Sequence, residues 1–315
     1  MKCKLERLKG IDVPNSINFI EQGDKLIIRM PKEAILDNMQ ENRSAFEAWA
    51  LLGKSKGYSN VKLEIEENIN YEKIEKRGHF NRFLYRVKCF NEIIKWFEIS
   101  EKLNGYVKNF EEELEKNTLF YNVPNDVEVE SKGLNSKGKP TESAIECEFA
   151  NNVDLTNKIL GIKVKKYYQQ MPVGLFKEKI SNNTRLFTGG KSAIDFWGIS
   201  GNTLNIIELK VGNNKKLGVI SEIFFYTCIM RDFHIKDNFA KPSNYKKVGR
   251  GFDKIKNIKK VNGIILTEEK HTRIDEVYNE LRESLKNEKT ISFEKDIKEY
   301  KYALKEKNKI KILKK

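Results

Sequence analysis

Asp195, Glu208 and Lys210 stand in AIDFWGISGNTLNIIELK (193–210), a stretch otherwise apolar enough to be buried. Two carboxylates and one ammonium in such surroundings must either neutralise one another or do chemistry, so their relative placement matters. Ser200-Gly201-Asn202-Thr203 is a turn signal, because glycine at the first central position suits a type II′ hairpin and asparagine tolerates the second. With Gly201 and Asn202 as the loop, Ser200 faces Thr203, and counting back along both strands sets Asp195 opposite Glu208. Directly opposed side chains share a face of the sheet, with Cβ atoms about 4.5–5.5 Å apart. Lys210, two residues past Glu208, shares that face, while Leu209 points the other way with Ile207 and Val211.

Paired carboxylates repel, and burying one ionised carboxylate alone is costly. One acid can stay protonated, Lys210 can neutralise one, or a divalent cation can bind between them, since hard cations take oxygen ligands. A purely structural reading also stands, in which Lys210 salt-bridges the two acids at a sheet edge.

The elements around this hairpin must position it. TESAIECEFANNV (141–153) opens on a capping residue, Thr141, and predicts a short helix with Glu142 and Glu146 on one face. KVKKYYQQMPV (163–173) predicts a strand, and LGVISEIFFYTCIMRDF (217–233) a helix apolar on most sides, with Glu222 and Tyr226 four apart. VNGIILTEE (261–269) predicts a strand, 273–285 an amphipathic surface helix, and 291–304 a further strand, with a basic tail that is frayed or paired at an edge. Such an order gives an α/β fold, a mixed sheet sandwiched by helices.

Ahead of it, KLIIRM (25–30) and NVKLEIEENI (60–69) predict strands and AFEAWALLGKSKG (45–57) a helix. Phe80, Leu84, Val87, Ile94 and Phe97 recur at helical spacing, a pattern continuing to about Lys116 with Arg82, Arg86 and Lys88 on its outer face. That face reads as solvated surface, or as a surface for nucleic acid or a partner. ESKGLNSKGKP contains almost nothing to bury and marks a boundary. The expected organisation is a separate α+β N-terminal domain (1–130), a linker (131–140) and a second domain (141–315) with a basic tail.

The 315 residues carry a formal charge of +14 and 39% hydrophobic content, enough for real cores and a bias toward polyanions such as nucleic acid or an anionic membrane surface. A composition rich in lysine throughout explains the same charge without any binding face. Cys3, Cys89, Cys147 and Cys228 form no Cys-x-x-Cys pair, and His79, His234 and His271 are scattered as surface or capping residues would be, so zinc and disulfide frameworks are not expected. With no apolar signal core at the N-terminus and no run near the ~20 residues of a membrane span, the chain reads as a cytoplasmic protein without a membrane partner.

That order of elements, with Asp195 followed by Glu208-Leu209-Lys210, resembles the PD-(D/E)XK nuclease superfamily over about residues 141–270. Ile194 stands where the family commonly has proline. The resemblance implies a restriction-endonuclease-like core and a metal-dependent nuclease acting on DNA, double-stranded DNA first, with a restriction or defence role. It implies Asp195 and Glu208 as Mg2+ ligands (Mn2+ substituting), the Leu209 carbonyl as a third, and Lys210 beside the attacking water. Glu142 or Glu146 would join the catalytic set, with Glu222 and Tyr226 supporting it. A homodimer would serve double-strand cutting by a chain with one site.

The residues fit that chemistry. A cation held by two carboxylates can polarise a phosphate and lower the pKa of bound water, and a lysine can hydrogen-bond that water or stabilise the transition state. In FTGGKSA (187–193) the glycines permit close approach of a phosphate to the backbone at Gly190, with Lys191 to pair with it, although an ordinary turn reads the same way. Lys215 and Lys216 follow the site strand and could reach backbone phosphates. Two alternatives remain: a non-catalytic nucleic-acid-binding protein on a nuclease-like fold, and a structural or regulatory protein with incidental basicity.

Overall fold

The computed structural model describes residues 2–315 apart from 67, 71, 72, 75, 76, 124–132, 188–191, 213–215, 242–248 and 305–309. The sequence expectations at Gly190, Lys191 and Lys215, and at the start of the 131–140 segment, lie outside the described residues.

The first half runs β1 (Asn18–Gln22), β2 (Lys25–Met30), α1 (Lys32–Ile35), α2 (Phe46–Ser55), β3 (Asn60–Ile65), α3 (Arg77–Ile93), β4 (Phe97–Ile99), α4 (Glu101–Glu115) and β5 (Leu119–Tyr121). The second runs α5 (Glu142–Asn151), α6 (Val153–Leu160), β6 (Tyr167–Pro172), β7 (Leu175–Lys177), β8 (Ala193–Ser200), β9 (Thr203–Lys210), α7 (Gly218–His234), β10 (Lys260–Thr267), α8 (Ile274–Ser284), β11 (Ile291–Phe293), β12 (Lys298–Leu304) and β13 (Ile310–Lys314). Among the described residues these strands make a four-stranded sheet in the order β1-β2-β3-β4, a seven-stranded sheet in the order β13-β12-β10-β9-β8-β6 with β11 on β10, and a β5-β7 pair.

The large sheet is mixed. β10 lies parallel to β9, β11 and β12, whereas β6, β8 and β9 are antiparallel neighbours and β13 closes the edge against β12. Strand β10 has both neighbours and is buried on both faces, which suits its run Val261, Ile264, Ile265, Leu266. One of its edges is shared by β11 near its start and β12 near its end, so the 291–304 stretch is two strands rather than one. The basic C-terminal tail is paired at the edge as β13.

Helices cover both faces. Under α5 and α6, Phe149, Ile159 and Leu160 pack on Phe196, Ile207 and Ile264. The opposite face carries α7, buried along almost its whole length, as a helix apolar on all sides must be. Beneath α7 the apolar core continues without interruption into the first half, through α2, α3, β2 and β3. Phe90 on α3 meets Phe224 on α7 with ring centroids 5.3 Å apart, and Tyr85 meets Phe225 at 5.8 Å.

α3 corrects the sequence expectation of a solvated outer face. Arg82 and Arg86 are both buried and only Lys88 is partly exposed. Arg86 Nε donates to Glu47 Oε1 at 2.7 Å, with a second bond to Oε2, and Ser221 Oγ on α7 donates to the same Glu47 Oε2 at 2.7 Å. A guanidinium can be buried when a carboxylate takes it in this two-pronged way. The long helical pattern of residues 80–116 is also broken, into α3 and α4 with β4 between them. Ser100 caps α4 by accepting from the Leu103 N–H at 3.3 Å.

The loop after α1 locks onto the start of α7. Asn42 Oδ1 accepts from the Leu217 N–H at 3.0 Å, Lys216 Nζ reaches Glu41 Oε1 at 2.6 Å, and Gln40 donates to Glu222. At Gly218 a Cβ would stand 2.0 Å from the Gln40 carbonyl oxygen, with the rest of that peptide close behind. Gly218→Ala is therefore expected to cost about 1–3 kcal/mol as overpacking. A urea titration checks this, and an unchanged midpoint would contradict the close approach.

Candidate functional site

The hairpin β8–β9 turns at Gly201, whose φ is +59°, while Asn202 has no positive φ, as in a type II′ turn. Ser200 pairs with Thr203 and the register runs back to Phe196 opposite Ile207, as the turn residues dictate. There the ladder stops, one residue short of the expected pairing of Asp195 with Glu208. The next residue, Asp195, turns its carboxylate into the fork, and Oδ2 accepts the Leu209 N–H at 2.7 Å. The β6–β8 ladder also skips this level, since Gln169 pairs with Phe196 and Met171 with Ile194 while Gln170 has φ +52°. A left-handed glutamine inside a strand carries a strain on the order of 1 kcal/mol. Its side chain makes use of that turn: Gln170 Nε2 donates to Glu146 Oε2 at 2.6 Å.

The fork opens into a cleft of about 610 Å3 that Glu142, Glu146, Asp195, Glu208, Lys210, Glu222 and Tyr226 all line. α5 delivers Glu142 and Glu146 from one face of the sheet, and Thr141 starts that helix by accepting from the Ala144 N–H at 3.3 Å. α7 delivers Glu222 and Tyr226 from the other, with Tyr226 Oη donating to Glu222 Oε1 at 3.0 Å. Glu208 and Lys210 point toward α7 from β9, and Lys210 Nζ contacts both Glu208 and, at 3.1 Å, Glu222. Lys216 lies elsewhere, on Glu41, and Leu209 packs its side chain under α5 and α6. The three residues singled out by spacing therefore do meet.

Electrostatics follow from burial. Glu208 is 1% exposed, and desolvation, then Asp195 and Glu222, push its carboxyl well above the ordinary range. Burial does the same to Asp195, reinforced by Glu146 and Glu142 and opposed by Lys210. Glu222 goes the other way: burial would raise it, but Lys210 and the bonds it accepts, including that from Gln40, hold it low. Burial alone would weaken the Lys210 ammonium; Glu208, Glu222, Asp195 and Glu142 outweigh that and keep it well above the usual lysine value. Lys210 is thus a fixed cation and donor at neutral pH, not a base. Glu208 Oε2 is buried with no hydrogen-bond donor, while Glu222 Oε2 faces the Lys210 ammonium at 3.1 Å. A proton on Glu208, or a cation, would relieve the Glu208 oxygen.

Glu146 is 3% exposed and burial pushes its carboxyl to about 7, with Gln170 pulling down and Glu142 up. A folded-state value raised from 4.5 contributes stability in full below about pH 4.5, and that stability disappears as the pH climbs through about 7. Glu146→Gln removes the dependence. The variant should match the wild type near pH 4.5 and exceed it at pH 8 by up to about 3 kcal/mol, measured without divalent cations by denaturant titration at both values. A wild type equally stable at both pH values relative to the variant would contradict the assignment.

The first half also lines the cleft, which the sequence did not suggest. Asn38, Met39 and Gln40 come from the loop after α1, and His79 and Arg82 from α3. His79 Nδ1 lies 3.1 Å from the Asp37 carbonyl and 3.3 Å from an Arg82 nitrogen. Their i, i+3 spacing on a helix was the only available signal. All three histidines are partly exposed; His79 lines the cleft, and His271 Nδ1 accepts from the Arg273 N–H at 3.0 Å at the start of α8, as a capping residue would.

Among the described residues no three or more His, Cys, Asp or Glu side chains form a ready-made metal set, and no helix is long and apolar enough to cross a membrane. Comparison with protein-family models, with curated proteins and with solved structures finds no match to this chain.

Proposed function

We propose that the protein is a metal-dependent nuclease that hydrolyses phosphodiester bonds, with DNA as substrate, on a restriction-endonuclease-like core. The observation that carries this reading is the meeting of Asp195, Glu208 and Lys210 in one cleft with Glu142 and Glu146 beside them. The +14 charge supports a polyanionic substrate.

The donors suit Mg2+, with Mn2+ as substitute. They are hard carboxylate oxygens, and Glu208 Oε2 is buried without a donor. Mg2+ commonly takes one or two carboxylates and completes its shell with water and substrate phosphate, so a three-residue set is not required. Asp195 and Glu208 would hold it, with the Leu209 carbonyl as a third oxygen. When bound, such a cation polarises the phosphate and acidifies its water. The chain supplies the rest. Lys210 donates from Nζ to the attacking water or to the oxygen gaining charge. Glu222, fixed by Tyr226 and Gln40, keeps that ammonium charged and aimed. Glu146, titrating near neutrality, can accept a proton and return it.

The test is digestion of plasmid and linear DNA with Mg2+ or Mn2+ by the wild type, Asp195→Ala and Lys210→Ala. The wild type should cut and the variants should not; equal cutting by all three would remove the assignment. The contact of Lys210 with Glu208 favours a second reading, a nucleic-acid-binding protein without catalysis, because the ammonium can satisfy the acids in place of a cation. That reading predicts salt-sensitive DNA binding with no cutting, and Mn2+ binding by calorimetry that is indifferent to Glu208→Ala.

A further inference from the structure

We propose that Arg82, carried by the N-terminal half of the chain, grips a phosphate of the nucleic-acid strand entering the cleft; the proposal rests on the phosphodiester reading. Among the described residues that line the cleft, the second half brings Lys210 and five carboxylates, and a phosphate meeting Glu142, Glu146, Asp195, Glu208 and Glu222 is repelled. Lys210 already lies against Glu208 and Glu222, which offset its charge. A further cation lining the same space is what lets a phosphodiester approach.

Arg82 has the position and the chemistry. It lines the cleft while only 4% exposed, and one guanidinium nitrogen lies 3.5 Å from Ser192 Oγ, three residues ahead of Asp195. A second, Nη2, lies 3.3 Å from His79 Nδ1. A planar guanidinium presents paired donors that match two phosphate oxygens, and it sheds water more readily than an ammonium does. Its placement is also fixed. One turn further along α3, Arg86 is clamped on Glu47, which in turn accepts from Ser221, the residue before Glu222. The same clamp that ties α3 to α7 therefore sets Arg82 relative to the residues that hold Lys210, as a preorganised binding site requires.

The experiment measures binding apart from chemistry. A short fluorescein-labelled DNA strand, its duplex and the matching RNA strand are titrated by anisotropy in EDTA against the wild type and Arg82→Met, over a range of salt. Arg82→Met should weaken the preferred probe about tenfold or more and lower the log–log salt slope by about one contact. In cutting assays with Mg2+ the variant should raise KM more than it lowers kcat. Should Arg82→Met melt early, Arg82→Gln, which can still donate to Ser192, carries the same readouts. Native melting with unchanged affinity and slope overturns the proposal. A wild type that cuts beside an Arg82 variant that binds and cuts like it removes Arg82 alone. Arg82-dependent binding without cutting keeps Arg82 and removes the nuclease reading.

Discussion

Lys210→Met should destabilise the protein by on the order of 3–5 kcal/mol at pH 8, because removing one partner of a buried ion pair strands the other. Lys210 is 7% exposed and lies between Glu208 and Glu222. The sign with pH separates this from simple loss of packing. Glu222 is held low mainly by Lys210, so its contribution is present above its unfolded pKa and depends on the ammonium. Without Lys210, burial raises Glu222 as it already raises Glu208, and a raised carboxyl contributes stability only below its unfolded value. The deficit should therefore be largest at pH 8 and shrink toward pH 4.5. Adding Glu222→Gln should recover part of it, as coupled neighbours do. Urea titrations of the three proteins at both pH values decide the matter, and a loss equal at both would mean that the lysine is packing alone.

Asp195→Asn should lower the cutting rate roughly 10³-fold, the scale of several kcal/mol of transition-state stabilisation. The amide oxygen can still accept the Leu209 N–H, so the strand fork should persist. Stability should hold or rise, because one of the mutually repelling buried acids has gone. Single-turnover cutting beside thermal melting gives both numbers. A variant that cuts at the wild-type rate would show that the charge at this position is not used.

Both expectations start from residues that spacing alone brought forward. The turn Ser200-Gly201-Asn202-Thr203 fixes the register as far as Phe196 opposite Ile207, and strand periodicity puts Lys210 on the face of Glu208, so that much of the convergence was legible. So were the cap at Thr141 and the i, i+4 pair Glu222 and Tyr226, because helix geometry is local. The fork at Asp195 was not legible, since it depends on a side chain replacing a ladder partner and on a left-handed Gln170 in the neighbouring strand. Nor was the burial of α3. Arg82 and Arg86 look like a solvated face until Glu47 arrives from α2 and Ser221 from α7. Helical periodicity reports which residues share a face, not what covers that face. The break between α3 and α4 is hidden for a related reason: Ile94 and Phe97 keep the apolar spacing, but Phe97 is used in β4.

The most direct test is a manganese soak of crystals followed by an anomalous difference map. A peak is expected within about 2.0–2.2 Å of carboxylate oxygens of both Asp195 and Glu208, lost in crystals of Glu208→Gln. A map without that peak at saturating manganese, with the Lys210 ammonium still seated on Glu208, would contradict the metal assignment.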